Sequence, residues 1–299
     1  MNWESEISEF KNYLRLEKGL SDNSIHAYVT DLFKLVQFLR DRGYTFGPDA
    51  VTLSHLREMI DWVSSRGISP RTQARIISGI KSFYKFLLIE EKVEKDPTAL
   101  LEAPKVGRKL PEILSVEEID TIINAVDTKK PEGQRNKAIL ETLYSCGLRV
   151  SELIDLKISN LFFESGFIKI EGKGSKERLV PISNKAIKEI NLYLSEYRRT
   201  LKIEAPHEDI LFLNRRGKKL SRVMIFTIIK NITRKLNLDK NISPHTFRHS
   251  FATHLIDGGA NLRAVQEMLG HESIITTEIY THLDKEYLKN TIVQYHPRT

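Results

Sequence analysis

The sequence predicts a mainly α protein of two domains, one all-helical and one mostly helical with a small antiparallel β-sheet. Three observations predict it. At 299 residues the chain exceeds what one core usually organises. Apolar residues recur at helical spacing in both halves, and one pair of short apolar runs brackets a glycine-rich turn. A proline-, glycine- and lysine-bearing stretch over residues 103–111 interrupts the pattern and marks the boundary.

Residues 1–102 form the first domain. Ser5 to Leu16 places Ile7, Phe10, Tyr13 and Leu14 on one helical face, and Gly19 ends that helix. Ser21 caps a second helix carrying Ile25, Tyr28, Leu32, Leu35, Val36 and Leu39. Gly43 and Gly47-Pro48 break the periodicity, and a third helix runs from Ser54 through Trp62. Ser69-Pro70 opens a fourth, with Ile76, Ile77, Ile80, Phe83, Tyr84 and Leu87 as a broad apolar stripe. Its polar side holds Arg71, Thr72, Arg75, Ser78 and Lys81; by charge alone this is equally a solvated face.

Ala103-Pro104-Lys105-Val106-Gly107-Arg108-Lys109-Leu110-Pro111 reads as an extended connection, and residues 112–299 as the second domain. Ser115 and Glu118 make a capping box for a helix through Val126. A further helix, Lys137 to Tyr144, leads to Gly147-Leu148-Arg149-Val150-Ser151-Glu152. Phe167 to Glu171 and Arg178 to Ile182 predict a hairpin with Gly172-Lys173-Gly174-Ser175-Lys176 at its tip. Asp209 to Leu213 is a short strand candidate, followed by a basic turn, Arg215 to Lys219, and a helix capped by Ser221 with Arg222 in its first turn.

Ser243-Pro244-His245 opens a helix with His245, Arg248, His249 and Ala252 on one face and Phe247, Phe251 and Leu255 on the other. Gly258-Gly259 stops it, Asn261 caps the next, and His271 follows Gly270 at that helix's end. Ser273 can cap a third helix bearing Tyr280. His245, Arg248, His271 and Tyr280 could therefore converge. An arginine fork matches phosphate, histidine moves protons near neutrality, and tyrosine attacks only a strongly polarised centre. Together they suggest attack on a phosphodiester. Taken singly, each residue is better explained by packing or solvent exposure.

The net charge is +7, spread as +2 over residues 1–110 and +5 over the rest, so neither part is a basic tail. A pI near 9.2 is compatible with nucleic acid without diagnosing it. The single cysteine, Cys146, lies in an apolar run and reads as a packed residue in a reducing compartment. No apolar run reaches membrane-spanning length and the N-terminus is acidic, so a cytoplasmic protein is expected.

The ordered set His245-Thr-Phe-Arg248-His249, Leu269-Gly270-His271 and Tyr280, with Gly147-Leu148-Arg149 and Glu152 upstream and Lys173 between, resembles the signature of tyrosine recombinases, above all the bacterial Xer branch. The resemblance spans nearly the whole chain. It implies a SAM-like N-terminal bundle and a catalytic domain closing on duplex DNA as a C-shaped clamp. Tyr280 would be the nucleophile, Arg149 and Arg248 the phosphate ligands, and Lys173 the general acid. His245 would assist proton removal, His271 would bond the phosphate, and Glu152 would hold Arg149. No metal or other cofactor is implied. DNA contacts would come from Arg71, Arg75 and Lys81 on the fourth helix and from Lys219 and Arg222. Implied partners are a duplex core site, a homo- or hetero-tetramer with a sister recombinase, and a septal DNA translocase.

The tetramer would be joined through a C-terminal helix after Asp284, whose stripe Tyr287, Leu288 and Ile292 would dock on a neighbouring protomer, with packing on its own domain as the alternative. Rival readings are a mobile-element integrase, a type IB topoisomerase and a noncatalytic DNA-binding module. A metallohydrolase using His245, His249 and His271 lacks the His-Glu-x-x-His arrangement.

Overall fold

The computed structural model describes residues 1–104, 107, 112–130, 132–172, 177–270 and 285–298. The chain divides into two compact units, Met1–Lys109 and Leu110–Thr299.

In the first unit the apolar stripes become α1 (Trp3–Leu16), α2 (Asp22–Asp41), α3 (Leu53–Ser65) and α4 (Pro70–Ile89). The caps are those the sequence specifies: the Ser21 and Ser69 hydroxyls accept from the backbone N–H groups of Ser24 and Thr72. Ile76, Ile77, Ile80, Phe83, Tyr84 and Leu87 of α4 are buried, and Phe83 meets the Phe10 ring edge-on at 5.4 Å. That burial turns the opposite side of α4 outward, with Arg71 and Arg75 exposed and Lys81 half-buried.

The second unit is built around α6 (Gly133–Cys146), longer than the Lys137–Tyr144 expected. Its residues from Ala138 to Cys146 are all buried, so it lacks the one-sided periodicity that marks helix ends. α5 (Val116–Asn124) keeps its Ser115–Glu118 capping box. Cys146 is fully buried, and burial pushes its thiol up to about 12. Gly147 then takes a left-handed conformation (φ 56°), and a Cβ there would lie 2.4 Å from the Phe251 ring. This opens α7 (Val150–Asp155) directly beside Arg149.

The predicted hairpin is β2 (Phe167–Glu171) and β3 (Glu177–Pro181), pairing Ile168 with Val180; β1 (Leu161–Phe162) adds a third antiparallel strand the sequence did not signal. α8 (Asn184–Leu192), capped by Ser183, was also not anticipated. The strand expected at Asp209–Leu213 does not form. Lys157 bridges Ile210, and Leu213 bridges Lys219, so each end has a different partner and no ladder propagates.

α9 (Arg222–Lys235) is capped by Ser221, and α10 (Pro244–Asp257) buries Phe247, Phe251 and Leu255 completely. α11 (Leu262–Leu269) is capped by Asn261 and ends at Gly270 in the left-handed region (φ 64°). α12 (Lys285–Tyr295) packs against α10, α11 and β3. In the single protomer the tail therefore packs on its own unit, the alternative in the sequence reading. The stripe is corrected: Leu288, Thr291 and Ile292 are buried at helical spacing, whereas Tyr287 is exposed. Ser273 and Asp284 lie outside the described residues.

Candidate active site

The C-terminal end of α11 gathers the site. Three consecutive backbone carbonyls there accept from three different arginines. Arg178 Nε donates to Met268 O at 2.9 Å, Arg248 Nη2 to Leu269 O at 2.6 Å, and Arg149 Nη2 to Gly270 O at 3.0 Å. The last carbonyls of a helix lack partners within it and carry the negative end of its dipole, so guanidinium groups suit them. The left-handed turn at Gly270 leaves room for this: a Cβ there would press on the Arg178 guanidinium at 3.1 Å.

Glu152 is the anionic counterpart. Its side chain is almost wholly buried, one turn into α7. Oε1 accepts from Arg149 Nη1 at 2.9 Å and Arg178 Nη1 at 2.8 Å. Oε2 accepts from the Arg149 backbone N–H at 2.8 Å and Arg178 Nη2 at 3.0 Å. Arg248 Nη1 lies 3.9 Å from Oε2. Burial alone pushes the carboxyl up, but bonds and charge from Arg178, then Arg149, outweigh it and hold the group below the usual carboxylate range. Sequence reasoning assigned Glu152 to Arg149 and missed Arg178. The available signal was a charged residue opening an otherwise apolar strand run.

Arg248 is buried, gripped by Leu269 O and, through Nη1, by Gly147 O at 2.8 Å. Burial, then the Arg149 charge, with Arg178 adding to it against the pull of Glu152, brings its guanidinium down to about 10, still charged at neutral pH. Arg149 keeps a side-chain exposure of 37%, enough to meet a ligand from solvent. A guanidinium has five N–H donors. The protein carbonyls occupy two of those on Arg248, which leaves others for a phosphate.

His245 lies exposed in the first turn of α10, one turn from Arg248. Partial burial first, then the neighbouring His249, Arg248 and Arg149, lower its pKa, so its imidazole is neutral near pH 7 and free to accept a proton. Arg149, Glu152, Arg248 and His245 are thus brought together. Lys173, His271 and Tyr280 lie outside the described residues. Among the described residues no three His, Cys, Asp or Glu side chains gather as metal ligands would.

The expected DNA-contact residues fall into two sets. On α4, Arg71 is exposed, while Arg75 Nη1 is held 2.5 Å from Oδ2 of the buried Asp31. In the second unit, Arg222 is exposed at the start of α9, whereas the Lys219 ammonium is paired with Asp155. The sequence did not signal either ion pair.

Residues 112–287 match the phage integrase family and residues 7–91 the N-terminal SAM-like domain of phage integrases. A protein named tyrosine recombinase XerD from Oceanobacillus iheyensis is 44% identical over 98% of both chains. Its namesake from Staphylococcus epidermidis is 42% identical over 98% of both. Among solved structures, XerH site-specific recombinase bound to a palindromic difH substrate, a post-cleavage complex, is similar with a TM-score of 0.67 and 26% identity, covering 95% of this chain and 83% of that one. These matches, together with the arginine-ringed end of α11, settle the family: the chain belongs to the phage integrase family and is a tyrosine recombinase of the Xer type.

Proposed function

We propose that this recombinase exchanges strands at a specific duplex site, using Tyr280 as nucleophile and the Arg149–Arg248 pair as the cradle for the scissile phosphate. The observation that carries the assignment is the clasp at the end of α11. Two arginines distant in sequence are fixed against one helix end, beside a carboxylate that is buried and ionised. Such preorganised cations act where negative charge builds up in a phosphoryl transition state.

The reaction is transesterification. The Tyr280 oxygen attacks phosphorus as its proton passes toward neutral His245. A tyrosyl–phosphate bond to the 3′ side forms, and the bond to the 5′ oxygen breaks. Lys173 gives that oxygen its proton, and His271 bonds a non-bridging oxygen. The arginines supply the positive charge that metal ions provide in many other phosphoryl transfers. The phosphoester energy stays in the covalent link. A 5′-hydroxyl of another strand can therefore reverse the step without ATP, producing a Holliday junction after the first exchange.

The Xer-type relatives support resolution of chromosome dimers as the biological task, in the cytoplasm. The 1–102 and 112–299 domains, joined by the 103–111 linker, would each contribute contacts to duplex DNA. The working assembly would be a tetramer, homomeric or with a sister recombinase, in which α12 leaves its own seat for that of the next protomer. A septal DNA translocase is the further partner.

The test is a nicked core-site substrate that traps the covalent intermediate. Wild-type protein should give a denaturation-resistant adduct in EDTA, and Tyr280→Phe should bind the site and give none. An adduct from Tyr280→Phe would overturn the nucleophile, and loss in EDTA with recovery on adding zinc or magnesium would overturn the arginine-only cradle.

A further inference from the structure

Arg178 lies outside the sequence pattern that singled out the other site residues, yet it makes three bonds within the site, as many as Arg149. From β3 it reaches Glu152 on α7 through two parallel N–H···O bonds and the end of α11 through a third. All three bonds are 3.0 Å or shorter. Its guanidinium also packs against the α-carbon side of Gly270. The side chain is 14% exposed, against 37% for Arg149, which leaves it little surface to offer a substrate.

The Glu152 carboxylate accepts four bonds, about the number its lone pairs provide. Two come from Arg149 and two from Arg178. Of the two side chains, only Arg178 presents both terminal nitrogens to the carboxylate, one to each oxygen, which fixes its plane as well as its position. Arg149 offers one side-chain nitrogen and one backbone N–H, and needs its remaining donors for Gly270 O and a ligand. Glu152 therefore cannot orient Arg149 unless something else orients Glu152.

We propose that Arg178 is a positioning residue of the active site: anchored on the end of α11, it fixes the Glu152 carboxylate, which in turn aims Arg149 at the substrate phosphate. The inference rests on the phosphate-binding role proposed for Arg149. A lysine at this position retains one cation but has no planar fork, so it cannot make the paired bonds and the Met268 bond together. A purely structural ion pair would affect stability alone; a positioning pair affects the chemical step and its pH dependence.

The experiment compares wild type, Arg178→Lys, Arg178→Met, Glu152→Gln and the Arg178→Met/Glu152→Gln double variant on the nicked substrate. Single-turnover adduct formation is followed at saturating protein across the pH range of activity, with half-site binding and thermal unfolding measured alongside. Arg178→Lys should unfold at a lower temperature but stay folded under the assay conditions and bind a half-site within about threefold of wild type, while its adduct rate falls roughly 30-fold or more because the defect lies in orientation. Its acid limb should move to higher pH, since a Glu152 stripped of the fork is protonated more readily. The double variant should be no slower than the slower single variant, because both act through one contact. A wild-type rate and pH limb in Arg178→Lys, or a double defect equal to the product of the single ones, would overturn the proposal alone. Absence of any adduct from wild type would overturn the recombination mechanism and this inference with it.

Discussion

Arg248 Nη2 lies 2.6 Å from the carbonyl oxygen of Leu269, the last residue of α11. Together with the bond from Nη1 to Gly147 O, this locks a buried guanidinium between the turn that precedes α7 and the turn that follows α11. Both turns pass through a left-handed glycine, Gly147 and Gly270. Replacing Arg248 by Lys should leave one of these carbonyls without its donor. Expected effects are a loss of about 1–3 kcal/mol in stability and a fall of roughly 100-fold or more in adduct formation. Denaturant unfolding and the nicked-substrate assay measure the two. Cleavage within about tenfold of wild type would reduce Arg248 to a structural tie.

The acid limb of the reaction should lie below the usual histidine range. His245 has its pKa lowered by partial burial and then by His249, Arg248 and Arg149, and Glu152 is held below the usual carboxylate range. Both groups thus keep their working forms, neutral imidazole and carboxylate, as pH falls through about 6.5, the ordinary histidine value. Adduct formation should stay level from neutrality to below that point and then drop. A rate already halved at about pH 7 would contradict the neutral-base role of His245.

The four helices of the first unit were legible because each shows an apolar stripe and, for α2 and α4, a serine cap before it. The second unit was less legible where tertiary context decides. α6 is buried all round only from Ala138 to Cys146, and Gly133 to Lys137 includes no apolar side chain to mark its start. Leu161–Phe162 is a strand only because β2 lies beside it, and Asp209–Leu213 is none because its ends pair with different segments. In the site, Arg149 and Arg248 were legible from motif spacing. Arg178 was not, since its partners Glu152 and Met268 are remote in sequence. The buried Asp31 beneath Arg75 was hidden likewise, as α2 and α4 meet only in the fold.

DNA affinity should depend unequally on the exposed cations. Arg222 is exposed, so Arg222→Ala should weaken half-site binding and lower the salt slope by about one. Lys219 is already paired with Asp155, so Lys219→Ala should cost less, and Asp155→Asn should tighten binding by freeing its ammonium. Filter-binding titrations at several salt concentrations check all three. Weaker binding by Asp155→Asn would mean that the ion pair itself presents Lys219 to the backbone.

The last prediction concerns the tail. α12 buries Leu288 and Ile292 in the core of its own unit, and beyond it His296 and Arg298 are buried as well. Arg298 Nη2 lies 2.6 Å from Asp120 and Nε 3.5 Å from the buried Glu141, a carboxyl that burial pushes up and Arg298 pulls back. Deleting residues after Lys285 should therefore cost stability, about 3–6 kcal/mol from the two aliphatic side chains alone. The loss should depend on pH. Burial drives the His296 pKa down to about 3, below its unfolded value, so the unfolded chain binds the extra proton as pH falls. Full-length protein should lose stability between about pH 6 and 4, with a slope approaching 1.4 kcal/mol per unit from this group, and the truncated chain should lack that component. Truncated protein that remains folded should bind one half-site normally. If the same helix serves the neighbouring protomer on DNA, that protein should also lose cooperative binding to the full site. Urea unfolding at several pH values and gel-shift titrations of half and full sites separate the two roles. Unchanged cooperativity in a truncated chain of reduced stability would confine α12 to its own unit.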